Sequence, residues 1–96
     1  MNKIKIIPEN LSAARGDSKG EINLQWDSAG NGVLYLIEVA SSNHSKIIKR
    51  KILDIIYDSR YTVKDLKSNK YYFFRAVSIN NDGQKQSSEK IIKKAP

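Results

Sequence analysis

The chain predicts an all-β sandwich of antiparallel strands, on three observations. Several segments alternate apolar and polar residues with a period of two, which places one apolar face on a pleated strand. Clusters of Gly, Asn, Asp and Ser recur about every ten residues, the spacing of a strand plus its turn. Helical spacing of apolar residues occurs in one segment only. The 96 residues suit one domain, taken as 1–96 with its core in about 8–95.

The elements follow in order. Residues 21–27, EINLQWD, set Ile22, Leu24 and Trp26 against Glu21, Asn23 and Gln25. Residues 33–40, VLYLIEVA, put Tyr35, Ile37 and Val39 on one face and Leu34, Leu36 and Glu38 on the other. Residues 45–58, SKIIKRKILDIIYD, are ambiguous. Ile48, Ile52, Ile55 and Ile56 have helical spacing, while the β-branched isoleucines suit strand, so 46–57 is either a bent strand or a short amphipathic helix. Residues 61–66, YTVKDL, alternate again and close on Leu66. Residues 70–80 hold the longest strand, with faces Tyr72, Phe74, Ala76, Ser78 and Tyr71, Phe73, Arg75, Val77, Ile79. A final strand runs through 88–95, SEKIIKKA. The turns lie at GDSKG, DSAGNG, KSNK and NNDGQ, rich in residues that tolerate left-handed backbone.

Composition removes several chemistries. The chain has no cysteine, so disulfides, thiolate nucleophiles and cysteine-held metals are excluded. The one histidine, His44, sits in a polar turn, and no serine has a base and an orienting acid around it. Asp27, Asp54, Asp58, Asp65 and Asp82 are scattered over separate elements and match no calcium loop. Neither an enzyme nor a cofactor is expected. The opening lysines and isoleucines faintly suggest an export signal, but Pro8 ends the apolar run too early, so a signal would lie outside this chain. No stretch has the length of a membrane-spanning helix.

The net charge is +7. Basic residues cluster at Lys49, Arg50 and Lys51, at Lys90, Lys93 and Lys94, and at Lys64, Lys67 and Lys70. They suit a solvated surface whose lysines guard strand edges, or alternatively a polyanion site with steep salt dependence. Nucleic acid is not expected, because neither exposed base-stacking aromatics nor a reading motif accompanies the charge.

Together the elements resemble a fibronectin type III domain over almost the whole chain, from about Pro8 to Pro96. Pro8 with Leu11 resembles the opening strand of that family, GEINLQWD its second strand with Trp26 as the core tryptophan, and YLIEVA its third. The most specific match is YTVKDLKSNKYYFFRAVSINNDGQ, in which Leu66 and Tyr72 stand at the spacing of the family's tyrosine corner. The resemblance implies an immunoglobulin-like, seven-stranded antiparallel β-sandwich in which Tyr72 buries its ring and gives its hydroxyl to a backbone group. Trp26, Tyr35, Leu66 and Tyr72 are then core residues. Where the family commonly has Pro-Gly in this turn, Ser68-Asn69 stands here, and Asn69 can take the left-handed conformation. The resemblance further implies a non-catalytic spacer or interaction module of a larger cell-surface or secreted protein.

Two surface features remain. Arg15-Gly16-Asp17-Ser18 spells the attachment signal known in the fibronectin family, but in the loop between the first and second strands, whereas the family's adhesive loop joins the sixth and seventh, here NNDGQ. Gly16, Asp17 and Gly20 are also sufficient to build a turn. The second feature is apolar. With Tyr35, Ile37, Val39, Tyr72, Phe74 and Ala76 inward, the pleat turns Leu34, Leu36, Tyr71, Phe73, Val77 and Ile79 outward on neighbouring strands. Such a face suggests a protein partner, a neighbouring domain or weak self-association, unless loops or the 46–57 segment cover it and Glu38 and Arg75 break it up.

Overall fold

The structure, a computed structural model, describes residues 5–43 and 46–96. His44 lies outside the described residues. The strands are β1 (Ser12–Arg15), β2 (Ile22–Gln25), β3 (Leu34–Asn43), β4 (Lys46–Ile56), β5 (Arg60–Val63), β6 (Tyr71–Ile79), β7 (Lys85–Ser87) and β8 (Ile91–Lys94). They form a three-stranded sheet, β1-β2-β5, and a five-stranded sheet, β4-β3-β6-β7, with β8 also on β6. Every pairing is antiparallel. The period-two segments supply the core between the sheets. Ile22, Leu24 and Trp26 of the first sheet's side meet Tyr35, Ile37, Val39, Tyr72, Phe74 and Ala76 of the second, all buried. Trp26 and Tyr35 pack edge to face, ring centroids 5.3 Å apart.

The ambiguous segment is strand. β4 pairs with β3 along its length, but opposite Ile37 stands Asp54 and opposite Glu38 stands Ile52. Leu53 is the extra residue of a β-bulge and packs against the core. The bulge shifts the side-chain phase, so Ile52 and Ile55, three residues apart, share one face of a strand. That spacing is what imitates a helix in the sequence.

The opening strand is displaced from its expected place. Pro8 has no N–H to give and Asn10 takes φ 58°, so regular pairing begins only at Ser12. Residues 5–11 instead bridge the sheets. The Ser78 hydroxyl donates to the Ile6 carbonyl, the Ile6 N–H donates to Gln86 Oε1 at 2.8 Å, and the Asp27 N–H donates to the Glu9 carbonyl at 2.8 Å. The final strand is also interrupted. From Phe74 to Val77 on β6, the partner strand runs from Ile91 back to Ser87, one residue more. Ser88 repairs the break: its N–H donates to the Ala76 carbonyl at 2.8 Å and its hydroxyl oxygen accepts the Ala76 N–H at 3.0 Å. Counting β7 and β8 as one interrupted strand gives seven.

The crossover from β5 to β6 is pinned by its tyrosine. The Lys67 N–H donates to the Tyr72 hydroxyl at 2.9 Å, and Asn69 takes φ 66°. β5 ends at Val63, and Asp65, expected to continue its alternation, takes φ 62°. Beside this sheet edge the Tyr61 hydroxyl is held above its usual pKa of 10.0, first by burial, then by the Asp54 carboxylate charge and the hydrogen bond to it. The folded protein therefore holds this proton more tightly than the unfolded chain. The stability it contributes is complete below about pH 10 and is lost as pH rises through the raised value. Tyr61→Phe is expected to lessen the fall in denaturation midpoint above that pH. Superimposable alkaline profiles of the two proteins would contradict this.

Candidate functional site

The two sheets turn very different faces to solvent. The outward face of the three-stranded sheet is polar, with Ser12, Asn23, Gln25, Arg60 and Thr62, and the Thr62 hydroxyl donates to Asn23 Oδ1 at 2.8 Å. The outward face of the five-stranded sheet is apolar, because the long strands alternate apolar residues with apolar residues. Cross-strand register fixes its rows. Leu34 lies beside Ile79, Leu36 stands between Ile55 and Val77, and Phe73 stands between Ala40 and Ile92. Tyr71 stands at one end beside Lys94, whose ammonium lies 5.9 Å from the ring centroid.

The six apolar residues expected on this face thus lie on it, but not equally open. Leu36 and Val77 are buried, flanked along their row by Ile55 and by each other. Ile52, Ile55, Tyr71 and Ile92 carry the exposure, at 55%, 54%, 50% and 51%. Sequence reasoning missed Ile52, Ile55 and Ile92 because both outer strands contain an inserted residue that breaks the alternation. The 46–57 segment widens the face by pairing at its side.

Charge crosses the middle of the face. Glu38 Oε1 accepts from Arg75 Nη2 at 2.7 Å and from Arg75 Nε at 2.9 Å, while Arg50 Nε stands 4.0 Å away. Half-burial of this pair makes its hydrogen bonds stronger than those of a solvated pair. Lys90 borders the same recess as Phe73, Arg75 and Arg50. Lys85 opposes Ile79 on the rim.

The other candidates are dispersed. Lys49, Arg50 and Lys51 follow one another on β4, and the Lys49 side chain lies outside the described ones; Arg50 faces Glu38, whereas Lys51 opposes Val39 and borders a groove with Lys64 and Lys67 between the sheet edges. Lys93 and Lys94 alternate likewise on β8. Both groups sit on the outermost strands of the five-stranded sheet, where lysine opposes edge-to-edge pairing.

Arg15 closes β1, and Gly16 to Glu21 form the turn into β2. The Gly16 N–H donates to the Glu21 carbonyl at 2.8 Å, and a Cβ on Gly16 would stand 2.5 Å from Glu21 Cβ. Arg15 borders the recess of Tyr71 and Lys94, and Asp17 borders that of Asn23 and Thr62. The turn therefore accounts for its glycines, and its two charged side chains border different recesses. Among the described residues no group of three or more His, Asp or Glu is placed to hold a metal ion, and no helix is long and apolar enough to cross a membrane.

The model of the family described as the fibronectin type III domain matches residues 7–94. Among solved structures, the chain is similar to the FN5 domain of Drosophila Lar, with TM-score 0.73 and 18% identity over 94% of this chain and 95% of that one. It is similar to a Fn3-like protein from Clostridium thermocellum, with TM-score 0.73 and 21% identity over 88% and 86%. It is similar to the domain of human fibronectin type III domain containing protein 3, with TM-score 0.74 and 20% identity over 98% and 88%. At these identities the likeness shows the fold. None of the curated proteins matches the chain.

Proposed function

This chain belongs to the fibronectin type III domain family, commonly a non-catalytic interaction or spacer module, and from that premise we propose that it is an interaction module of a larger cell-surface or secreted protein. Its partner, a protein or a neighbouring domain, sits on the outward face of the five-stranded sheet. The observation that carries this is the contrast between the faces. Solvent meets Ile52, Ile55, Tyr71 and Ile92 on one sheet and Asn23, Gln25, Arg60 and Thr62 on the other. A pure spacer needs no contiguous apolar face, and exposing one carries an aggregation hazard. Spread over the neighbouring strands β4, β3, β6 and β8, the apolar residues form a contiguous patch rather than isolated exposed side chains.

A photo-crosslinking residue placed in turn at Ile55, Thr62 and Asp17 tests this in the source cells. The expected result is protein adducts from position 55 and none from 62 or 17, with the natural product running far above 10.9 kDa. Adducts from 62 or 17 alone would overturn the assignment of the face. A natural mass near 10.9 kDa would overturn the larger parent.

A further inference from the structure

Resting on the interaction role just given to the outward sheet face, we infer that its occupant is an acidic protein segment, apolar at its centre and carrying carboxylates at its flanks. The argument is charge complementarity. Among the described side chains, the charged groups brought to this face by β3, β4, β6, β7, β8 and the residue before β8 are Glu38, Arg50, Arg75, Lys85, Lys90 and Lys94. Five are cations and one is an anion. The lone carboxylate is spent internally, since Glu38 Oε1 already accepts from both Nε and Nη2 of Arg75. Arg50, at 4.0 Å from that oxygen and with 45% of its side chain exposed, keeps most of its charge available. Lys85, Lys90 and Lys94 ring the apolar rows and pair with no carboxylate on the face.

The face therefore has an apolar floor, a neutralised centre and a cationic rim. Aspartates and glutamates at the ends of a segment would meet the rim, while its leucines or aromatics cover Ile52, Ile55, Phe73 and Ile92. Rim charges of this kind choose the partner and speed its arrival more than they add affinity. A second copy of the chain is a poor occupant. It carries net charge +7 and would lay the same cationic rim against this one.

The test is selection of a random displayed peptide library on the intact chain, followed by affinity measurements on the recovered peptides. Acidic, apolar-centred peptides are expected to be enriched. Their affinity should fall about tenfold or more with Ile55→Lys, fall by a similar factor with Lys90→Glu and Lys94→Glu together, and weaken as salt is raised. Ile92→Ser is a second, milder face variant should Ile55→Lys disturb folding. Recovered peptides that are neutral or basic yet still lost on Ile55→Lys would overturn the acidic partner and leave the interaction face standing. Peptides indifferent to both Ile55→Lys and Ile92→Ser would overturn both. Concentration-dependent dimers at moderate salt abolished by Ile55→Lys would make the occupant a second copy and overturn the inference. So would binding to phosphatidylserine vesicles with no acidic peptide recovered.

Discussion

Gly20→Ala lowers the stability of the domain by about 3 kcal/mol. Gly20 takes φ 75°, where an L side chain meets its own backbone at a cost of about 1–2 kcal/mol. The added Cβ would also stand 2.5 Å from the Leu66 carbonyl oxygen. That oxygen cannot move aside freely. The Leu66 N–H donates to the Gly20 carbonyl at 3.1 Å, and the Gly20 N–H donates to the Pro96 carbonyl at 3.0 Å. Gly20 thus joins three pieces of chain: the turn into β2, the crossover after β5 and the stretch beyond β8. Separating them sacrifices hydrogen bonds worth about 1 kcal/mol each. A urea titration checks the effect, with Gly83→Ala as the contrast. Gly83 has nearly the same φ, 79°, but its added Cβ would meet nothing within 4 Å. Equal losses in the two variants would show that backbone conformation alone, and not the crowded junction, sets the cost.

Phe74→Ala is expected to cost about 3–5 kcal/mol, the range for deleting a buried aromatic ring from a core that cannot fully collapse. Phe74 is 1% exposed. It pairs with Val39 on one side and Ile91 on the other, and its ring centroid lies 6.4 Å from that of Tyr72. It therefore holds β3, β6 and β8 to a common inward layer. For a chain of this length each kcal/mol lowers the melting temperature by about 4–8 °C, so the midpoint should fall by well over about 12 °C. A fall of only a few degrees would mean that the sheets close over the gap.

What the sequence made legible was whatever obeyed a single rule throughout. Ile22, Leu24 and Trp26 keep strict alternation and lie in the core. Tyr72 with Asn69 is legible because one hydroxyl and one left-handed residue are both needed to turn this corner. The sequence was less legible where a residue is inserted. Leu53 shifts the phase of β4, so isoleucines of one strand face take helical spacing. The inserted residue between Ser87 and Ile91 likewise splits what reads as a final strand from 88 onward. The apolar face was readable on β3 and β6, where the pleat is regular. Its outer members, Ile52, Ile55 and Ile92, lie beyond such insertions, and its cationic rim comes from strands distant in sequence. The burial of Leu36 follows from its row, which alternation along one strand does not reveal.

The central claim is that the outward face of the five-stranded sheet, and not the Arg15-Gly16-Asp17 turn, takes the partner. The measurement that tests it most directly is an amide chemical-shift map of the chain titrated with a synthetic peptide bearing leucines at its centre and glutamates at both ends. Shifts clustered at Leu36, Ile55, Phe73, Val77 and Ile92, with the 16–21 turn silent, are the expected result. Shifts confined to that turn or to the polar face of β2 and β5 would contradict it.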